Sequence, residues 1–165
     1  MQNKTCCFVG HHPKSLPWGY SQSKIRFKIF KHRFKNKIEK TIKNGYNHFI
    51  TSLSLGVEML AAELVLELKA KYPNLTLECA IPCLNQSQNW YDENILRYQN
   101  IQMQADKVSI ISNTFYYNGC IAKCKKYMLE NSSKIIAVYN GKNGITKQTI
   151  QMAKTMNLEI EIIKP

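Results

Sequence analysis

Six short apolar runs punctuate this chain, and each of the first five is closed by glycine, proline or small polar residues before a helical pattern begins. Lys4–Val9 ends in Gly10-His11-His12, His48–Thr51 in Ser52-Leu53-Ser54-Leu55-Gly56, and Thr76–Ile81 in Pro82-Cys83. Lys107–Ile111 ends in Ser112-Asn113, and Lys134–Tyr139 leads into Gly141-Lys142-Asn143-Gly144-Ile145-Thr146. The sixth run is Leu158–Ile163. Alternating strands and helices demand parallel pairing, right-handed crossovers and helices on both faces. The pattern predicts one α/β domain over residues 1–165. It is a Rossmann-like three-layer sandwich with a mainly parallel sheet of about six strands. The expected strand order is 3-2-1-4-5, with strand six at the edge. In such a sheet the loops after the strands meet on one edge, where open α/β sheets bind ligands.

Helices are expected at Ser23–Asn44, with Ser23 as N-cap and Gly45 as the stop, and at Val57–Lys71. Three more are expected at Ser87–Gln104, Gly119–Asn131 and Thr146–Met156. The net charge of +12 raises the question of an anionic partner. Nine basic residues lie between Lys24 and Lys43, opposed only by Glu39. Phe27, Phe30, Phe34, Ile38 and Ile42 recur there at helical spacing, so the segment reads as an amphipathic helix whose basic face is solvated. Lys24, Lys28, Lys31 and Lys35 form one stripe on it. Nucleic-acid binding through this helix is the less favoured reading, because no aromatic lies within the stripe to stack bases.

No apolar run approaches the roughly 20 residues that span a bilayer, and no signal-peptide pattern opens the chain. The expectation is a cytoplasmic protein without a membrane partner. None of the six cysteines forms a C-x-x-C pair. Reduced, buried thiols and no metal are expected, with Cys6 and Cys7 on opposite sheet faces.

Gly141–Thr146 is the best anion-binding candidate. Gly141 and Gly144 let backbone amides approach a phosphate, and a helix starting at Thr146 adds its positive end and a hydroxyl. Ser54 and Gly56 repeat the arrangement before the second helix, where Glu58 in the first turn meets a ribose or complements the dipole. His11 and His12 end the first strand, within reach of a ligand. Trp18 forms an aromatic wall or packs against the first helix. Pro82 and Gln86 open the third helix, and Trp90, Asn94 and Arg97 share one of its faces. Arg97 pairs with a ligand acid or with Asp106. Tyr116 and Gly119 line the mouth after the fourth strand.

Several segments together resemble the YpsA-like branch of the SLOG superfamily. They are CCFVGHHPKSLPWGY (6–20), LGVEMLAAE (55–63), AIPCLNQSQNW (80–90), RYQNI (97–101), ADKVSIIS (105–112), YYNGC (116–120), KYMLENSS (126–133) and NGKNGIT (140–146). The superfamily is Rossmann-like. It includes the Lonely Guy phosphoribohydrolases and the DNA-processing protein A group that loads single strands. The resemblance implies binding or sensing of a nucleotide-derived ligand. Three positions depart from the family pattern. His12 stands where Arg is expected, Ile145 where Gly is expected, and Lys123–Lys126 where an Arg-Asn pair is expected. The phosphoribohydrolases place a Glu at the position of Thr149, and threonine supplies no carboxylate. The reading is therefore a non-catalytic site with no certain cofactor. Nucleotide N-glycoside hydrolysis, with Glu58 as the carboxylate, is the alternative, and homo-oligomerisation stays open.

Overall fold

The computed structural model describes residues 4–165. The elements run β1 (Lys4–Val9), α1 (Ile25–Lys43), β2 (Tyr46–Thr51), α2 (Val57–Lys69), β3 (Thr76–Ile81) and α3 (Asp92–Gln104). They continue with β4 (Lys107–Ile110), α4 (Cys120–Glu130), β5 (Lys134–Val138), α5 (Ile145–Thr155) and β6 (Glu159–Ile163). A single 3-10 turn at Pro13–Ser15 interrupts the long loop after β1. All six strands pair in parallel in one sheet.

The periodicities explain the layers. Phe27, Phe30, Phe34 and Ile38 of α1 are buried with α2 and with Tyr98 and Ile101 of α3 against one sheet face. Phe8 stacks on Phe49 at 5.8 Å and meets Phe34 edge-on at 5.9 Å, a geometry aromatic pairs favour. Cys124, Met128 and Leu129 of α4 and Ile150 and Ala153 of α5 cover the other face. Cys6 and Cys7 fall in opposite cores, as strand alternation requires. All six cysteines are buried free thiols.

The strand order is β4-β3-β2-β1-β5-β6, which corrects the expected placement of the fourth strand beside the first. The first three crossovers continue in one direction, so α1, α2 and α3 all land on one face. The chain then returns over the opposite face through α4 to β5. The topological switch point consequently lies between β1 and β5. β4 is only four residues long and poorly covered, so its composition carries little information about its neighbours.

Several boundaries also differ. α1 begins after Lys24 with no side-chain cap, so Ser23 is not its N-cap. α3 begins at Asp92, which leaves residues 82–91, including Trp90, in a run of turns. The N-cap of α5 is Gly144, and Thr146 lies inside the helix.

Candidate functional site

Two glycines set how closely the loops pack at the C-terminal edge. A Cβ on Gly10 would lie 2.4 Å from the Val57 Cβ, so β1 ends directly against the start of α2. A Cβ on Gly56 would meet the His11 carbonyl oxygen at 2.4 Å, and Gly56 adopts φ +98°. Only glycine fits both the conformation and the contact. Val57 N–H donates to the same carbonyl at 3.4 Å. Gly56 thus locks two loops together instead of leaving room for a ligand.

The β2–α2 loop is bent around buried polar groups. Leu53 adopts φ +56° although fully buried, beside Thr51, whose hydroxyl donates to the Glu58 carbonyl at 2.8 Å. Ser52 donates to Glu58 Oε2 at 2.9 Å and shares a hydrogen bond with Ser54 at 2.9 Å. Lys125 reaches in from α4 on the opposite sheet face. Its Nζ pairs with Glu58 Oε1 and donates to Ser52 Oγ at 3.0 Å. Gln86 donates to the Ser52 carbonyl at 2.8 Å and accepts from Tyr98 at 3.1 Å.

His11 spans the switch point. Its ring stacks on Tyr139, and its Nε2 accepts from Asn140 N–H at 3.1 Å. His12 Nδ1 accepts from Lys14 N–H at 3.3 Å. Burial, and then the neighbouring Lys142 charge, lower the His11 pKa, while burial and Lys14 do the same for His12. Both rings are therefore neutral at pH 7. α5 starts at Gly144 without a side-chain cap, so its first amides are free for an anion. Thr146 beside them is 5% exposed, and no hydrogen bond holds its hydroxyl among the described residues.

These groups line two adjoining cavities. The first, about 310 Å³, has Gly10, His11, Glu58, Lys125, Gly144 and Thr146 in its walls. The second, about 490 Å³, is walled by Cys83, Asn85, Gln86, Asn89, Trp90 and Tyr116. His12, Ser54, Leu55 and Ile121 belong to both. Among the described residues Lys125 is the only lysine or arginine lining either cavity, and Glu58 cancels its charge.

Ten of the sixteen residues singled out from the sequence line these cavities: Gly10, His11, His12, Ser54, Glu58, Gln86, Trp90, Tyr116, Gly144 and Thr146. The others lie outside them. Trp18 is 4% exposed and stacks on Phe30 at 4.7 Å, so its packing against α1 is realised. Arg97 grips Glu63 with two bonds, at 2.8 and 3.0 Å, and bonds Asn94 at 3.1 Å. Asp106 pairs instead with Lys69. Pro82 is buried, Gly119 caps α4 at φ +99°, and Gly141 turns at φ +87° in the exposed part of its loop. Leu55, Cys83, Asn85, Asn89, Ile121 and Lys125 line the cavities without being among the sixteen, and Lys125 is the one that carries charge. The departure of residues 123–126 from the family pattern was its only sequence signal.

The basic stripe lies elsewhere. Lys31 and Lys35 both pair with Glu67 of α2 at 3.0 Å. Tyr116, 63% exposed, lines the second cavity, and its chain neighbour Phe115 is 71% exposed.

Comparison with known proteins places this geometry among relatives. A UPF0398 protein of Brevibacillus brevis is 38% identical over 116 residues, covering 70% of this chain and 62% of that protein. A UPF0398 protein of Bacillus cereus is 36% identical over 120 residues, covering 72% and 65%. The chain thus matches less than two thirds of the length of these relatives. DNA processing protein A from Helicobacter pylori, described for its single-stranded DNA binding mode, superposes with TM-score 0.65 at 13% identity. It covers 96% of this chain and 64% of that one. The Streptococcus pneumoniae protein of the same name gives 0.63 at 10% identity, covering 97% and 50%. At these identities the likeness concerns the fold. No helix among the described residues is long and apolar enough to cross a membrane. The family model described as the YspA SLOG family matches residues 6–165, and the chain belongs to that family.

Proposed function

We propose that the paired cavities bind a nucleotide-derived small molecule without turning it over. The observation that carries the reading is their junction at His12 and Ser54, which joins a polar chamber to an aromatic, amide-rich one. The free amides of α5 and the Thr146 hydroxyl suit one phosphate, and Glu58 and Ser54 suit ribose hydroxyls. Trp90, Tyr116, Asn85, Gln86 and Asn89 suit a base by stacking and by amide hydrogen bonds. Both volumes fall within the range of about 300–1,000 Å³ typical of ligand sites.

Two contacts argue against hydrolysis. Both Glu58 oxygens already accept bonds, one from Lys125 and one from Ser52. The Thr149 hydroxyl donates back to the Ile145 carbonyl at 2.8 Å, inside its own helix.

Mass spectrometry of the denatured protein, followed by titration calorimetry with the nucleotide identified, tests the reading. Gly144→Asp is expected to abolish binding and leave the fold intact. Equal affinity removes the α5 loop from the site. Release of free base that Glu58→Gln abolishes would make the protein a hydrolase.

A second reading, single-stranded nucleic acid, is favoured by the exposed Phe115 and Tyr116 at the cleft mouth, since bases stack on such rings. Filter binding with oligothymidylate near 150 mM salt separates the two. Tight binding lost in Phe115→Ala/Tyr116→Ala would promote the nucleic-acid reading.

A further inference from the structure

The sheet has an open edge at β6. Glu159 N–H donates to Ser133, and the Ile163 carbonyl accepts from Tyr139, so the odd-numbered residues of β6 bond toward β5. In a parallel strand the N–H and C=O of one residue point the same way and alternate along the chain. The backbone groups of Ile160 and Ile162 therefore point outward, with no strand beside them among the described residues. The Ile162 side chain is 51% exposed.

A groove of about 440 Å³ runs between this edge and α1, lined by Ile162 and Ile163 and flanked by Arg33, Lys37, Lys40 and Lys164. Ile163 faces α1, and the side chain of Ile162 alternates to the other face of the sheet. No acid lines it. Lys37 pairs with Glu161, which also serves Lys134, while Lys40 and Lys164 make no ion pair among the described residues. Arg33 donates to the Lys164 carbonyl at 2.6 Å, which fixes its guanidinium over the groove's end.

We propose that this edge is a docking surface for an extended acidic segment of a partner protein, which adds to the sheet as a seventh strand. Three observations meet in that occupant. Main-chain donors and acceptors alternate along the edge, as strand addition needs. Ile163 gives the groove an apolar base on the α1 side. The walls carry an excess of positive charge, which acidic side chains complement. A nucleic acid fits less well, because phosphates use the donors but leave the outward carbonyls and the apolar base at Ile163 unserved. Exposed edges invite unwanted pairing, so an acidic occupant also protects this one.

The probe is the peptide acetyl-Glu-Val-Asp-Val-Glu-Val-Asp-amide, titrated into the ¹⁵N-labelled full chain. Shifts are expected at the Ile160 and Ile162 amides and along α1 near Lys37. A peptide of the same pattern with lysine at the acidic positions is expected to leave them unmoved. Ile162→Pro removes an outward N–H but no bond to β5, a placement edge strands tolerate. It should weaken binding about tenfold or more. Lys40→Glu/Lys164→Glu should do the same, and it does not depend on the proline variant folding. Absent shifts at β6, or unchanged affinity in a folded variant, overturns the proposal. Oligothymidylate moving the same amides more tightly than the acidic peptide would assign the groove to nucleic acid and overturn it equally.

Discussion

Lys125 of α4 and Glu58 of α2 form an ion pair across the floor of the cleft, with side chains only 5% and 2% exposed. Two elements far apart in sequence, on opposite faces of the sheet, are tied at the one place where a ligand has room. Removing one partner of a buried pair leaves an uncompensated charge, and the cost is about 3–5 kcal/mol. Lys125→Met is therefore expected to lower unfolding stability by that order in urea titration. Glu58→Gln combined with Lys125→Met should recover a substantial part of it. If Lys125→Met alone is neutral, the pair does not hold the cleft.

Acid should expose a second polar cluster. Glu78 on β3 is 3% exposed. Its burial alone would raise the pKa. Bonds from His48, Tyr127, Ser109 and Lys107 outweigh that and hold the carboxyl at about 2, against 4.5 unperturbed. A carboxyl with a depressed folded pKa stabilises the protein above its unfolded value, and that contribution disappears as pH falls through the folded one. At 1.36 kcal/mol per unit this amounts to about 3 kcal/mol. Chemical denaturation between pH 6 and about 2 should show the loss, and Glu78→Gln should flatten that slope.

Gly10 tests the close approach of β1 to α2. Gly10→Ala would place its Cβ within 2.7 Å of three Val57 side-chain atoms. Overpacking of this kind costs about 1–3 kcal/mol. Val57→Ala removes two of those atoms, so the double variant should recover part of the loss by thermal melting. An unaffected Gly10→Ala would mean that the loops are not rigidly packed.

Charge counting limits the ligand. With Lys125 neutralised and both histidines held neutral, no cationic side chain lining the cavities is free for extra phosphates. Lys14 and Lys142 are exposed to solvent at the mouth. A buried phosphate lacking charge-assisted donors is penalised. Calorimetry is expected to show a nucleoside monophosphate binding about tenfold or more tighter than its triphosphate. The reverse order would bring Lys14 or Lys142 into the site.

The layers were legible because Phe27, Phe30, Phe34 and Ile38 keep a helical period, and because Cys6 and Cys7 alternate across a strand. The convergence of Gly10, Ser54 and Thr146 followed from the alternation of strands and helices. The place of β4 did not, since four residues with largely exposed side chains show neither face nor neighbour. Residues 87–91 read as the start of the third helix because Ser, Gln and Asn there do not forbid one, whereas the helix begins at Asp92. They form turns instead, with Gln88 N–H donating to the Asn85 carbonyl at 3.1 Å and Trp90 N–H to the Ser87 carbonyl at 3.2 Å. The Lys125–Glu58 pair joins residues 67 positions apart, beyond any local pattern.

The contact between His11 and Asn140 has a consequence for where one proton sits. Because Asn140 N–H donates to Nε2, that nitrogen must keep its lone pair, and the neutral ring carries its hydrogen on Nδ1. Protonating the ring puts a hydrogen on Nε2 facing another donor, which the lowered pKa of His11 resists. The seam between the first and fifth strands is thus fastened by a bond that only one tautomer can make. A ligand able to deliver a proton to Nε2 would turn that acceptor into a donor and undo the fastening along the line where the cleft opens.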